Sequence, residues 1–179
     1  MGLRSLYHRL RGRKELYQVY TNVTYSTPKR CLEHHGEIVL EEGDLPTVDG
    51  CDFDLLSFPV GKLGDFRDRR RKMEETAERE LRRRELFEKG RQKLEAGVPD
   101  AALTALERSL KIDAYIPEME ELGREFGSRL SSETLEELKE LCVLGYKEKF
   151  GQKRYERLPE KMREDRKEFG LEKIREVFG

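Results

Sequence analysis

The sequence predicts an α+β chain that is mostly α, with a small β-containing N-terminal unit over residues 1–62 and a helical domain over 63–179. Three observations predict it. Tyr17, Val19, Thr21, Val23 and Tyr25 alternate with polar residues in a stretch rich in β-branched and aromatic types, which is strand patterning. From Asp65 onward, apolar residues recur at helical spacing to the end of the chain. Charged residues make up 41% and hydrophobic residues 36%, with no Trp, a balance that suits long solvated helices carrying apolar stripes.

Leu3, Leu6, Tyr7 and Leu10 follow i, i+3, i+4, i+7 and predict a short basic amphipathic helix ending before Gly12 and docking on its own domain, with contact to a membrane surface as the alternative. Leu16–Tyr25 is the first strand. Thr27 and Pro28 then read as N-cap and first-turn proline of a short helix to His35, closed by Gly36. Glu37–Leu40 is a second short strand. Residues 41–52 form a loop broken by Gly43, Pro46 and Gly50, and Phe53–Phe58 is apolar enough to cover the small sheet. Phe66, Met73, Ala77 and Leu81 keep roughly heptad spacing, so one long helix is expected over residues 65–96. Leu86, Phe87, Gly90 and Leu94 continue its apolar face. Gly97 supplies a stop, Pro99 suits the first turn of the next helix, and Ala102, Leu103, Leu106 and Leu110 make that helix's stripe. Four further segments are helical. Pro117–Phe126 opens on a proline, and Ser132 caps a stretch carrying Leu135, Leu138, Leu141, Cys142, Gly145 and Tyr146. Gln152–Phe169 has a kink or break at Pro159, and Leu171, Ile174, Val177 and Phe178 form a last short helix.

Counted from Arg83, the bulky Leu86, small Gly90, turn Gly97, small Ala102 and bulky Leu106 and Leu110 resemble one tetratricopeptide repeat, a helix-turn-helix unit. Ile112-Asp113 matches the usual end of the repeat. Lys89, Lys93 and Ala114 stand where the family has a leucine, an aromatic and a proline. The resemblance covers residues 83–116 and implies a helical hairpin in a TPR-like array. It places Arg84, Phe87, Arg91 and Glu95 on the concave face of the first helix. Arginines beside an aromatic there would receive an acidic or C-terminal peptide segment through charge-assisted hydrogen bonds. The same spacing also fits a core Phe87 with solvated arginines.

Cys31, His34, His35 and Cys51 form the dense cluster of soft ligand types. On a helix Cys31 and His35 lie one turn apart, and Zn²⁺ takes four thiolate or imidazole ligands in a tetrahedron. The alternative is free thiols and a surface histidine pair. Residues 27–58 are similar to the cysteine- and histidine-bearing module of phage head morphogenesis (minor capsid) proteins. Arg30 to Val39 carries a C-x₃-H-G segment before a short strand, and Leu45-Pro46 leads to Gly50-Cys51. The family's doubled cysteines and second histidine are replaced by Lys29, Val48 and Phe53. This resemblance implies a zinc-binding module in a head-assembly accessory protein.

The net charge is −1, so no global field favours nucleic acid or an anionic membrane. Basic residues cluster at Arg4, Arg9, Arg11, Arg13 and Lys14, again from Arg67 to Lys72, and at Arg82, Arg83 and Arg84, while Glu33 to Asp54 is mostly acidic. The basic helix 67–84 offers nucleic-acid binding as an alternative function, although Asp68, Glu74, Glu75, Glu78 and Glu80 interrupt its field. No phosphate loop, H-E-x-x-H, nucleophile elbow or paired-carboxylate signature is present, so catalysis is not expected. No apolar run reaches membrane-spanning length, and charges interrupt the N-terminal apolar pairs as they would not in a signal peptide. Three cysteines, odd in number and sparse, suit a reduced cytoplasm. Many Lys, Arg and Glu beside a single Asn give a thermophile-like composition. The expected function is that of a non-catalytic, cytoplasmic protein–protein interaction adaptor that needs no cofactor and takes a protein or acidic peptide segment as partner.

Overall fold

The computed structural model describes residues 15–59, 63–153, 155–156 and 158–179. The basic helix expected over Leu3–Leu10, the cluster from Arg4 to Lys14, and the side chains of Phe66 and Arg67 lie outside the described set. Among the described residues there are six helices and one three-stranded antiparallel sheet, the mostly-α α+β class read from the sequence. None of these helices is long and apolar enough to cross a membrane. The chain divides into two compact units, residues 1–81 and 82–179. The boundary lies beyond the expected 62/63, and Met73 on the long helix is buried beside Gly36 of the N-terminal unit.

In that unit β1 (Glu15–Tyr20) is the central strand, between β2 (Ile38–Val39) and β3 (Asp54–Pro59). Tyr17 pairs with Val39 on one side and Ser57 on the other. A central strand buries both faces, which is why Leu16, Gln18 and Val19 are all inaccessible. Strand β1 ends at Tyr20, not Tyr25. The threonines that look like strand residues turn the chain instead: Thr27 Oγ1 donates to the Asn22 carbonyl (2.6 Å) and accepts from the Thr24 N–H (2.9 Å). With its hydroxyl so used, Thr27 does not cap α1 (Lys29–Glu33), whose N-cap is Pro28. Helix α1 is followed by Gly36 at φ 92°, where a Cβ would press within 3.2 Å of Met73 Cβ. Residues 53–58 do not merely cover the sheet. They supply β3, whose register with β1 runs from Tyr20↔Asp54 to Glu15↔Pro59.

Helix α2 (Leu63–Glu95) is the long helix expected from the periodicity. It ends in a Schellman arrangement: Gly97 is at φ 70°, the Val98 N–H donates to the Lys93 carbonyl (2.9 Å), and the Gly97 N–H donates to that of Leu94 (3.1 Å). Pro99 then opens α3 (Pro99–Ile112). The two helices fold back on each other so closely that a Cβ at Gly90 would lie 2.5 Å from Leu106 Cγ. Helices α4 (Ile116–Phe126), α5 (Ser132–Phe150) and α6 (Glu160–Phe178) complete the second unit. Glycine again marks the crossings: Gly145 faces Leu110, Gly123 faces Val177, and Gly170 faces the Tyr146 ring, each too close to admit a methyl group.

Two boundaries differ from expectation. Ser131, not Ser132, caps α5, accepting from the Thr134 N–H at 3.2 Å. Pro159 ends the turn that precedes α6, and Glu160–Phe178 is one helix that absorbs the separate short helix expected after Gly170. Phe87, Leu94, Leu106, Leu110, Met119, Leu122, Phe126, Leu138, Tyr146, Phe150 and Ile174 are among the buried side chains of this unit's core.

Candidate functional site

Four places bear on function: the Cys/His cluster, the arginine face of the hairpin, the basic run of α2 and a cleft in the N-terminal unit. In the first, Cys31 on α1 and Cys51 before β3 are joined by a disulfide. Neither sulfur is then a thiolate, so neither is a zinc ligand. His35 is buried, not a surface residue, and its Nδ1 accepts from the Thr21 N–H at 3.2 Å. Its proton therefore resides on Nε2 in the neutral ring, and burial lowers its pKa. His34 turns to a different partner, with Nδ1 2.6 Å from a Glu37 carboxylate oxygen. Cys31, His34, His35 and Cys51 thus do not converge as ligands. Among the described residues no group of three or more His, Cys, Asp or Glu is placed to hold a metal ion. The bridge also removes the argument for a reduced compartment from sparse cysteines, because disulfides persist in oxidising compartments and within hyperthermophile cells. Cys142 is the buried core thiol that its stripe implies, and burial pushes its pKa up to about 12.

The hairpin face is only partly open. Phe87 is core, 9% exposed, so of the two readings of its spacing the core one holds. Arg91 remains one-third exposed, and it reaches across to α4, where Glu125 meets it at 2.8 Å and Glu121 at 3.7 Å. Partial burial acts against its charge, but the carboxylates of Glu125, Glu121 and Glu88 outweigh that and hold its pKa above the ordinary value. Arg84 is half-buried and Glu95 exposed. Of the expected quartet Arg84, Phe87, Arg91 and Glu95, the aromatic is withdrawn into the core and one arginine is already engaged by a neighbouring helix.

The basic run on α2 is largely answered by its own acids. Arg70 bonds Glu74 at 2.6 Å, and Arg71 lies 3.7 Å from Asp68 and 3.5 Å from Glu75. Arg83, in the middle of the third arginine run, is wholly buried. Its guanidinium makes two bonds to Glu118, at 2.7 and 3.0 Å, and lies 4.7 Å from the centre of the Tyr115 ring. Its carbonyl accepts from Ser109 Oγ at 2.8 Å. Close by in sequence, Asp113 accepts from the Ala114 N–H and faces Lys149 Nζ at 3.3 Å, while Lys149 donates to the Ala114 carbonyl at 2.7 Å. A proline at 114 would lack that N–H, which accounts for this departure from the repeat pattern. Arg83 and Lys149 are structural, and the sequence had no local signal for either: the partners lie 35 residues away.

The cleft has a volume of about 320 Å³. Tyr20, Asn22 and Val23 line it from the end of β1, His35 from the turn after α1, and Arg69, Lys72, Met73 and Thr76 from α2. The last four follow i, i+3, i+4, i+7 and so share one helix face. None of these lining residues is a carboxylate. In the sequence Arg69 and Lys72 show only as part of a charge run and His35 only as a ligand type. No protein-family model, curated protein or solved structure matches this chain.

Proposed function

We propose that this protein is a non-catalytic protein–protein interaction adaptor that takes an acidic segment of its partner on the face between α2 and α4. The observation that supports this reading is the one-third-exposed Arg91 guanidinium, held firmly by Glu125 but loosely by the 62%-exposed Glu121 at 3.7 Å. An exposed pair of that length is worth little in water. A partner carboxylate can therefore replace Glu121 and keep the Glu125 bond intact, gaining the planar, forked geometry that suits arginine to carboxylates. The tetratricopeptide-repeat resemblance directs attention to the same face, with an arginine and not Phe87 as the recognising group. Neutralisation of Arg70, Arg71 and Arg83 within the chain weighs against the nucleic-acid alternative.

Titration of glutamate-rich peptides by fluorescence anisotropy tests the reading. Binding is expected to be abolished by Arg91→Glu, to weaken with salt, and to tighten about threefold in Glu121→Gln, which removes the internal competitor. Peptide binding that is indifferent to Arg91→Glu, or no binding by any acidic peptide, would remove this function.

A further inference from the structure

We propose that the outward face of α6 pairs with the same face of a second copy of this chain, in a two-fold dimer whose two helices run parallel. The apolar part of that face is the first reason. Among the described residues five large hydrophobic side chains are exposed, and α6 carries two of them. Phe169 is 61% exposed, the most open of the five, and Met162 is 43% exposed. They stand one heptad apart, on the side of α6 away from the buried Leu171, Ile174 and Phe178. Lys173 Nζ lies 5.9 Å from the centre of the Phe169 ring, and most of that side chain stays open.

The second reason is the sorting of charge around those two residues. Asp165 and Glu172 border them along one edge and Arg166 and Lys173 along the other, each pair of like charges repeating after a heptad. Interleaved charges on an exposed helix are ordinarily explained by pairs at i, i+3 or i, i+4. Lys167 with Glu164 and Lys173 with Glu176 follow that rule on this helix. Arg166 does not. The positions three and four away from it are Met162, Arg163, Phe169 and Gly170, and none is acidic. Asp165, Arg166 and Glu172 are all exposed, and among the described residues none of the three is in an ion pair.

The two edges fix the orientation. Turning a second copy by half a rotation about an axis parallel to α6 sets the basic edge of each copy against the acidic edge of the other. Phe169 then meets Phe169, and Met162 meets Met162, along the line between the edges. An antiparallel pair would set basic on basic and acidic on acidic, which is repulsive. The arrangement has the form of a short parallel coiled coil, with an apolar seam and flanking charges that choose the direction. One helix face is smaller than the roughly 800 Å² per partner of a standard interface, so the dimer is weak, with a Kd of about 100 µM. The contact uses α6 and not Arg91 on α2, so this proposal and peptide binding fail independently.

Sedimentation equilibrium of the full chain from about 10 µM to about 1 mM reads the association. A reversible rise toward twice the mass of one chain is expected. Phe169→Glu and Arg166→Glu, both at exposed positions, should each weaken it about tenfold, because symmetry places every change twice in the dimer. The exchange Asp165→Arg with Arg166→Asp should return the affinity to within about twofold, since each edge still meets its opposite. Met162→Cys reads the direction: parallel pairing brings the two new thiols together, so mild oxidation should link two chains, whereas Glu168→Cys, off this face, should not. The natural cysteines do not compete, since Cys31 and Cys51 are bonded and Cys142 is buried. The mass of one chain at about 1 mM would overturn the proposal. So would an exchange variant as weak as Arg166→Glu, or equal cross-linking at positions 162 and 168.

Discussion

The two units of this chain solve the problem of burial in opposite ways. Among the described residues, the N-terminal unit has a three-stranded sheet, short helix α1 and a small set of buried apolar side chains: Leu16, Val19, Leu32, Val39, Met73 and Ala77 beside the cystine. A covalent staple adds to this packing: Cys31–Cys51 closes the loop that precedes β3. The helical unit has no staple. It packs five helical segments through glycine-marked crossings around a continuous apolar core, and it tolerates a fully buried arginine because Glu118, Tyr115 and Ser109 surround it. The lesson is that one charge-rich composition can support either strategy. What differs is where the partners of each polar group lie.

The contrast can be broken most forcefully at Arg83. Arg83→Met leaves the Glu118 carboxylate without its buried partner, and the helical unit should lose about 3–5 kcal/mol in urea unfolding followed by circular dichroism. The double variant Arg83→Met, Glu118→Leu should recover most of that loss, since a well-packed apolar pair often replaces a buried ion pair at no cost. If the single variant is as stable as the natural chain, the ion pair is not what organises this interior.

Reduction of the disulfide is the next largest perturbation, and it should act on the other unit. Opening a loop of 20 residues costs about 3 kcal/mol. Hydrogen exchange measured by mass spectrometry should show β1, β2 and β3 losing protection after reduction while α3 to α6 keep theirs. Thiol titration gives a companion reading. The native, unreduced protein should show no reactive thiol among Cys31, Cys51 and Cys142, because two are bonded and the third is buried with its pKa pushed up to about 12. Rapid labelling of Cys31 in the unreduced protein would show that the bridge does not form.

The smallest effect is a matter of pH and sharpens the comparison. All three histidines of the chain precede residue 82, so the helical unit has none. Burial lowers the folded-state pKa of His35, so the unfolded chain binds that proton more readily than the folded one. The resulting contribution to stability is complete above about pH 6.5, the unfolded value, and is lost as pH falls toward the lower folded value. Protection of the N-terminal unit should decline modestly between pH 7 and mildly acidic conditions, by about the same route in any buffer, with the helical unit unaffected. An equal decline in both units would point to carboxylates, not His35.

Much of the local structure was legible. The bend between α2 and α3 could be read because Gly97 and Pro99 act through their own backbone preferences and need no distant partner. Likewise, the long helix followed from periodicity alone. The candidate sites were less legible. Phe87 has the same i+4 neighbours whether it faces core or solvent, and only the position of the neighbouring helices distinguishes the two. Cys31 and His35 were read as a pair because helical spacing is visible in sequence. The cystine to Cys51 and the bond from Thr21 to His35 are contacts across the fold and are not.

By itself, the amino-acid sequence determined where the long helix stops and the next one starts, that a strand lies near residue 17, and that the chain is mostly α with a small β-bearing beginning. These are consequences of side-chain period and backbone dihedral preference within a few residues. Only the tertiary structure decided that residues 54–59 form a third strand, that Cys31 is spent on Cys51, that Arg83 is buried and Arg91 half-covered, and that Arg69, Lys72 and His35 share a cleft. Each of those outcomes depends on groups far apart along the chain, and a charged or sulfur-bearing side chain carries no mark of which distant partner will meet it.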